Sequence, residues 1–377
     1  MKSKDSTKRR IESILAEVKL RGFDTVVFVN EITGQNPSNF IYVSGPWGYG
    51  EEHSAIILDV DGRSTAVIPH WRAPLIQKEG SYDKVISIKQ EKEQHIKAIK
   101  EALGRYHEAK HVCFDLSTMS AQFSLQLLKT LEIDITGKLD ISDHVFKLRS
   151  IKDEYEIEEI KKAIRITEDS VVELASNARP GVSIAKLKKR MDASMIERGA
   201  VEFSFESKVE FGRGSPRPTG IIKQGDVLTV DVGCRVCSGY CSDMGRTIPV
   251  TSDSEVKEFL SRVVEAHREG VKLIRDGVVA SKILEESNRI NGEYGFDPTV
   301  RCGHQIGLEC HDYTMPYAPN FGYLESDRQP LKEGMTLTYE PQHDKEKLDW
   351  RTHIEDVVLV TGGGTVILND LPIDFIW

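Results

Sequence analysis

The chain has 377 residues, a formal net charge of −9, 39% hydrophobic residues and 29% charged residues, a composition typical of a globular protein with two or three domains. The acidic balance argues against nucleic acid as a partner, because phosphate binding needs a concentrated basic surface. No apolar run approaches the roughly 20 residues that cross a bilayer, and residues 1–30 lack the apolar centre of a signal peptide. We therefore expect a cytoplasmic protein with no membrane partner, whose six cysteines are reduced.

The first 145 residues alternate helix-like and strand-like patterns. Apolar spacing predicts a helix over 8–22, and residues 24–30 and 38–45 predict strands. Two strand-like runs, SAIILDV and STAVIP, flank an Asp61-Gly62 turn signal and predict a hairpin. Two more helices are expected at 90–108 and 121–132, with the short strand HVCFDL between them. The pattern predicts a small α/β domain over residues 1–145.

Residues 146–377 form the second predicted domain, which opens with a long, charged amphipathic helix. Its N-cap signal is Ser150 or Asp153, and it ends before ARPG at 178–181. A second helix follows Ser183. Further helices are predicted at 254–276 and 280–294, and strands within 201–250, 297–313 and 334–369. Helices and antiparallel hairpins in separate blocks are typical of an α+β fold.

Four acidic residues of this domain lie at or within strand-like apolar runs, Asp231, Asp243, Glu340 and Glu355, and a histidine, His304, lies in the segment CGHQIGLECHD. Singly, an acidic residue at a strand end is usually a cap or a salt bridge, and a lone histidine is usually a core residue. Buried carboxylates that converge, however, need cations to neutralise them. This oxygen-rich set suits two divalent ions of Mn, Co, Zn or Fe. Two adjacent ions can share a hydroxide nucleophile and polarise a carbonyl, which is hydrolytic chemistry.

The segments around these residues resemble the pita-bread metallopeptidases, namely methionine aminopeptidase, aminopeptidase P and prolidase. The similar segments are KQGDVLTVDVG followed by GYCSDMGRT, then GHQIGLECHD, LTYEP and HIEDVVLVT. The likeness spans roughly residues 145–377, and the preceding α/β domain is typical of the creatinase and prolidase branch. The resemblance implies an α+β fold whose C-terminal domain is a pseudo-symmetric antiparallel sheet with helices. It also implies a homodimer.

The resemblance assigns one ion to Asp231 and Asp243. The other ion would be held or bridged by four residues: Asp243, His304, Glu340 and Glu355. Glu340 would take a proton from the bridging water. His311 would contact the substrate or the tetrahedral intermediate; its alternative is a structural, hydrogen-bonding histidine. The implied activity is that of an Xaa-Pro dipeptidase or aminopeptidase, which cleaves the bond before proline by a metal-bridged hydroxide.

The sequence departs from the family pattern at several substrate-facing positions. Arg217 follows Pro216 where the family carries a substrate-contacting histidine. Arginine cannot shuttle protons but can clamp a carboxylate; the alternative is an exposed loop arginine. His353 stands where the prolidase branch often has arginine, and we expect both residues to contact substrate. Gln305 and Asp312 replace a common glycine and glutamate.

These departures leave two alternatives to a peptidase. One is a relative that acts on a small non-peptide substrate, as an amide or amidine hydrolase or as a lyase. The other is a non-catalytic binding module of the same fold, which would normally have lost metal ligands.

The Asp231–Asp243 spacing is also one residue longer than usual, which a bulge or a longer hairpin tip could absorb.

Three cysteines lie between the two aspartates: Cys234, Cys237 and Cys241. A zinc or cluster site needs four soft ligands, and no fourth partner is evident, so we expect these to act as small buried hydrophobes. Cys302 and Cys310 flank His304 and predict an oxidation-sensitive site. GPWGYGEEH at 45–53 is a candidate contribution to the site of a partner subunit.

Overall fold

The computed structural model describes residues 3–31, 37–45, 53–79, 82–89, 92–106, 108, 110–134, 137–214, 217–312, 328–345 and 350–374. None of the helices in these ranges is long and apolar enough to cross a membrane. Residues 46–52 lie outside them, so the predicted role of GPWGYGEEH stays a prediction. The chain divides into two compact units, Met1–Arg149 and Ser150–Trp377. The division falls at the C-terminal end of helix Ser142–Ser150, whereas the boundary predicted after residue 145 lies within that helix.

The first unit contains a mixed five-stranded sheet. Its strands are β1 (Thr25–Asn30), β2 (Ser54–Asp59), β3 (Ser64–Pro69), β4 (Lys84–Ile88) and β5 (Val112–Phe114). The order is β4-β3-β2-β1-β5; β1 pairs antiparallel with β2, and β2 with β3, whereas β4 and β5 pair in parallel with their neighbours. The predicted hairpin between β2 and β3 is confirmed. Gly62 takes a φ of 86° in its turn, which glycine adopts without steric cost.

Six α-helices accompany this sheet in the part of the chain that the structure describes: α1 (Ser3–Leu20), α2 (Ser38–Ser44), α3 (Ala73–Glu79), α4 (Lys92–Leu103), α5 (Ala121–Leu131) and α6 (Ser142–Ser150). Apolar side chains of α4 and α5 pack with Val27 and Phe114 of the sheet in one buried cluster. The strand predicted at 38–45 is wrong, because these residues form α2. All seven residues of α2 are buried, and a fully buried short run has no polar periodicity that separates helix from strand.

The described residues of the second unit contain four long helices: α7 (Glu154–Asn177), α8 (Ile184–Glu197), α9 (Ser254–Gly270) and α10 (Ala280–Tyr294). Asp153, and not Ser150, caps α7. The backbone N–H of Glu156 donates to Asp153 Oδ1 at 3.0 Å, and the N–H of Asp153 donates to Glu156 Oε2 at 3.0 Å. This reciprocal capping box satisfies two donors that the first turn would otherwise leave unpaired. The helix predicted over 254–276 ends early, at Gly270.

The strands of the second unit form antiparallel sheets. They are β6 (Glu202–Phe203), β7 (Lys208–Phe211), β8 (Asp226–Val232), β9 (Cys234–Arg235), β10 (Met244–Val250), β11 (Thr336–Tyr339), β12 (Asp356–Thr361) and β13 (Gly364–Ile367). The sheet orders are β10-β8-β7, β11-β12-β13 and β6-β9. The strand predicted at 297–313 is wrong over its described part, 297–312, where Gln305 makes only isolated pairings with Asp312 and Leu337. Glycines at 303 and 307 interrupt this run.

A short backbone pairing joins the two three-stranded sheets. The N–H of Gly245 donates to the carbonyl of Glu355 at 3.3 Å, and the N–H of Glu355 donates back at 3.1 Å. The fully buried Arg246 donates to the same Glu355 carbonyl at 2.6 Å and to Asp356 Oδ1 at 2.7 Å. Burial alone would raise the pKa of Asp356, but Arg246 and His267 hold it below its usual range. The start of β10 and the segment before β12 are thereby fixed against each other.

Candidate metal centre

Four of the five predicted ligand residues, the carboxylates, sit at the ends of strands from both three-stranded sheets. Asp231 lies near the end of β8, Asp243 directly before β10, Glu340 directly after β11 and Glu355 directly before β12. His304 lies in a loop tied to β11: its N–H donates to Thr338 Oγ1 at 3.1 Å and its carbonyl accepts from the Thr338 N–H at 2.8 Å. All but Asp231, which is half-buried, are buried.

Three carboxylates surround one imidazole nitrogen. His304 Nε2 lies 3.4 Å from Asp243 Oδ2, 3.6 Å from Glu340 Oε1 and 3.9 Å from Glu355 Oε1. The other ring nitrogen, Nδ1, lies 3.0 Å from the carbonyl of Gln305. An Nδ1–H that donates to this carbonyl leaves the Nε2 lone pair pointing into the carboxylate cluster, which is the usual arrangement of a metal-binding histidine.

Each of these carboxylates carries a buried oxygen that no donor satisfies within the described part of the chain: Asp243 Oδ1, Glu340 Oε1 and Glu355 Oε1. Leaving such atoms without partners in the interior is costly. A divalent cation would satisfy them together with His304 Nε2, and oxygen and imidazole donors suit first-row divalent metals. Donor atoms of Asp243, His304 and Glu355 lie within 4.8 Å of one another. The residues therefore fit a metal ion.

Burial and the repulsion between like charges raise the pKa values of the carboxyl groups in the cluster. Burial, then the charges of Asp231 and Glu340, raise the pKa of Asp243 to about 8. Burial and Asp243 raise the pKa of Glu355 to about 7, and burial and Glu355 raise that of Glu340. Without a cation the cluster holds protons near neutral pH, and a metal ion would have to displace them.

Two cationic side chains that the sequence analysis missed lie at the edge of the cluster. Lys208 on β7 faces Asp231 across the β7–β8 pair and donates to Asp231 Oδ2 at 2.7 Å. Arg301 Nη2 lies 3.4 Å from Glu340 Oε1, without the alignment of a hydrogen bond. The strand register that places Lys208 opposite Asp231 is not visible in the sequence. Arg301 could have been suspected from its position three residues before His304.

His353 lies against the ligand carboxylates themselves. Its Nε2 is 3.3 Å from Glu355 Oε2 and 3.8 Å from Asp231 Oδ1. Burial opposes its protonation, but the hydrogen bond to Glu355 and the charge of Asp231 raise the pKa of His353 to about 10. The ring covers Gly245, where an added Cβ would lie 2.2 Å from His353 Cδ2. Glycine is therefore required at position 245 for this close approach.

The other two predicted substrate residues differ in their placement. His311 is exposed, and its ring centroid lies 4.1 Å from that of His304. Partial burial of the ring and the neighbouring His304 lower the pKa of His311 to about 4, so it is neutral at physiological pH. Arg217 is exposed, and its guanidinium lies over the ring of Phe211, 5.3 Å from the centroid. Phe211 is at the opposite end of β7 from Lys208; the role of Arg217 stays a prediction.

Sequence departures near the site have structural partners. Gln305 pairs by its backbone with Asp312 and with Leu337 on β11. Asp312 Oδ2 accepts from the buried Lys152 at 3.2 Å. The long Asp231–Asp243 connection contains β9, which pairs with β6. The flanking strands β8 and β10 pair in continuous register, from Val232 opposite Met244 to Asp226 opposite Val250.

The cysteines of this connection are not gathered into a site. Cys234 and Cys241 are buried and Cys237 is exposed, and no cluster of potential ligands among the described residues includes any of the three. Cys310 is different, because its thiol donates to Asp243 Oδ2 across 3.1 Å. The sequence placed Cys310 near His304 in the chain but gave no sign of this contact.

Comparisons with known proteins agree with this geometry. Residues 158–362, more than half of the chain, match Metallopeptidase family M24. The chain belongs to this metallopeptidase family. It is 30% identical over 257 residues to an Xaa-Pro dipeptidase of Pyrococcus horikoshii, covering 66% of this chain and 70% of that protein. It is 32% identical over 232 residues to an Xaa-Pro dipeptidase of Pyrococcus furiosus, covering 59% and 64%.

Solved structures match nearly the whole length. An Xaa-Pro dipeptidase from Bacillus anthracis superposes with a TM-score of 0.81 at 22% identity, covering 98% of this chain and 99% of that one. The prolidase from Pyrococcus furiosus gives a TM-score of 0.76 at 25% identity, covering 94% and 99%. The predicted α+β fold, with a pita-bread domain after a smaller N-terminal domain, is confirmed. As a member of family M24, the chain is a metal-dependent hydrolase.

A test of the Gly245 contact follows from its geometry. Gly245→Ala places a methyl group against the His353 ring, and because overpacking of this kind typically costs about 1–3 kcal/mol, we expect that loss of unfolding free energy. We also expect weaker metal binding, since His353 must leave Glu355. Gly292→Ala in α10 is the matched control, because its Cβ meets nothing within 4 Å. Urea unfolding and metal titration check this; equal behaviour of the two variants would contradict it.

The raised pKa values predict how the metal-free protein responds to pH. A carboxyl or imidazole whose pKa is raised on folding stabilises the fold at low pH, and that stability is lost as pH rises through the folded-state pKa. The raised pKa values are about 8 for Asp243, 7 for Glu355 and 10 for His353. Each of these groups therefore makes the folded state less stable as the pH rises above 6.5. His311, whose pKa is lowered, opposes them only below its ordinary value of 6.5.

We therefore expect the metal-free protein to lose on the order of 2 kcal/mol of unfolding free energy between pH 6.5 and 8. The metal-saturated protein should show a much smaller loss, because the ion replaces the protons. Chemical denaturation with chelator and with saturating metal, each at both pH values, measures the difference. Parallel pH dependence in the two states would show that the cluster does not hold the metal.

Proposed function

We propose that the chain is an Xaa-Pro dipeptidase or aminopeptidase that hydrolyses the peptide bond before proline with two divalent ions of Mn, Co, Zn or Fe. The observation that carries this proposal is the convergence of three unsatisfied carboxylate oxygens on His304 Nε2 in a member of family M24. The names of the Pyrococcus relatives support the Xaa-Pro substrate class.

The proposed ligand sets share Asp243. One ion is held by Asp231 and Asp243. The other is held or bridged by Asp243, His304, Glu340 and Glu355. Once bound, such ions would lower the pKa of water and polarise the scissile carbonyl. Arg246 positions this set through the Glu355 carbonyl and the Asp356 carboxylate.

Glu340 is the proposed proton carrier. Its Oε1 is buried without a hydrogen-bond donor and lies 3.6 Å from His304 Nε2, and its pKa is raised by burial and by Glu355. A carboxylate of raised pKa accepts a proton from the attacking water and can return it to the leaving amine nitrogen. His311, neutral and beside His304, donates a hydrogen bond to the substrate carbonyl oxygen.

The remaining proposed substrate contacts are His353 and Arg217. His353 reaches Asp231 and Glu355, so it would act at the edge of the ligand set. Arg217 would have to turn from Phe211 to clamp a substrate carboxylate. A homodimer and a cytoplasmic location are proposed from the resemblance and the composition.

The proposed mechanism predicts that Glu340→Gln, which keeps the shape but cannot accept the proton, lowers kcat by about 10²–10⁴-fold. The test measures hydrolysis of Xaa-Pro dipeptides, longer peptides with Xaa-Pro at the N-terminus, and small amides, each with Mn²⁺ or Co²⁺. Glu285→Gln, an exposed residue of α10 paired with Lys282, is the matched control and should keep full activity. Undiminished activity of Glu340→Gln would refute the mechanism, and turnover of the small amides alone would refute the substrate class.

A further inference from the structure

Cys310 is a buried thiol at the metal centre. It is 6% exposed, and its Sγ lies 3.1 Å from Asp243 Oδ2. It comes six residues after His304 and one before His311. Its Sγ and ring nitrogens of these two histidines all lie within 4.8 Å of one another. The thiol therefore lies among the nitrogen and oxygen donors of the metal centre.

The distances match those between ligands of one ion. Zinc-like ions bind oxygen and nitrogen at about 2.0–2.2 Å and sulfur at about 2.3 Å, so two neighbouring ligands lie roughly 3–4 Å apart. Cys310 Sγ and His304 Nε2 lie 3.1 Å and 3.4 Å from the same atom, Asp243 Oδ2. Sulfur and imidazole thus lie next to the same carboxylate oxygen, each at a distance found between two ligands of one ion.

An independent observation points to a cation in this space. Asp243 Oδ1 and Glu355 Oε1 are buried and lack hydrogen-bond donors among the described residues, and Asp243 is the residue that the thiol touches. A thiol that served only to satisfy Asp243 would leave Oδ1 without a partner. A cation bound by the sulfur and the carboxylates would satisfy both oxygens, Asp243 Oδ1 and Glu355 Oε1.

Two other buried cysteines of this unit, Cys234 and Cys241, have ordinary structural contacts. Cys234 Sγ faces the Ala163 carbonyl at 3.4 Å, and Cys241 Sγ faces the Leu308 carbonyl at 3.8 Å. Backbone carbonyls are the usual partners of thiols in a protein core. Cys310 alone among these three contacts an ionisable group of the centre.

We propose that Cys310 is a thiolate ligand of the ion held by Asp243 and His304, and that the centre therefore selects Zn²⁺, Co²⁺ or Fe²⁺ over Mn²⁺. As the bond between Sγ and the ion forms, the S–H proton passes to solvent. Thiolate favours zinc-like and softer ions, whereas Mn²⁺ prefers oxygen ligands. This inference rests on the proposed metal centre and is independent of the proposed peptide substrate.

The first test is the absorption spectrum of the protein loaded with Co²⁺. A thiolate bound to Co²⁺ gives an intense near-ultraviolet charge-transfer band, which carboxylate and imidazole ligands do not give. We expect this band in the wild-type protein and in Cys302→Ser, which removes a buried thiol from the same segment. It should be absent from Cys310→Ser and from the apolar variant Cys310→Val, with the weaker visible bands still reporting bound Co²⁺.

The second test is competition between metals. The metal-free protein is equilibrated with equal concentrations of Zn²⁺ and Mn²⁺, and the bound ions are counted after gel filtration. We expect the preference for Zn²⁺ to fall by about tenfold or more in Cys310→Ser and to be unchanged in Cys302→Ser.

The outcomes separate this inference from the proposed function. Wild-type protein that binds Co²⁺ without the charge-transfer band overturns the role of Cys310 and leaves the metal centre in place, whether or not the variants fold. A charge-transfer band that persists in Cys310→Ser, or an unchanged metal preference, also overturns it. Protein that binds no ion at all overturns both proposals.

Discussion

The constraint on which the site depends is the repulsion among buried carboxylates gathered around one imidazole nitrogen. Asp243, Glu340 and Glu355 lie within 3.9 Å of His304 Nε2 and are at most 8% exposed. Burial removes the water that would screen their charges, so their pKa values rise, and each keeps an unsatisfied oxygen among the described residues. A bound cation neutralises this repulsion, and a metallopeptidase binds such a cation as part of its function.

The fold delivers the ligands to this point by pairing strand ends. Each carboxylate is on a strand or next to one: Asp231 in β8, Asp243 before β10, Glu340 after β11 and Glu355 before β12. The backbone bridge between Gly245 and Glu355 fixes two of these ends together. Buried Arg246 stabilises this bridge by donating to Asp356, whose negative charge it balances. These contacts hold the strand ends, and with them the repelling carboxylates, in place.

Whether the sequence predicts a part of the site depends on how far apart in the chain the contacting residues are. The five proposed ligands could be found because each lies in a local segment that resembles a family motif. The contacts of Lys208 with Asp231 and of Cys310 with Asp243 could not, because they span 23 and 67 residues and depend on strand register and loop path. The α2 helix was mistaken for a strand for a related reason, since burial on every side erased its periodicity. The role of Arg217 stays a prediction: its motif position suggests the site, and the structure places its guanidinium over the ring of Phe211.

The most direct test of this account is the position of bound metal in crystals of the wild-type protein. Crystals grown with Zn²⁺ or Co²⁺ would be measured on both sides of the metal absorption edge. The account predicts an anomalous peak within bonding distance of His304 Nε2 and of the carboxylates of Asp243, Glu340 and Glu355. Metal-saturated crystals that show no peak at this cluster would contradict it.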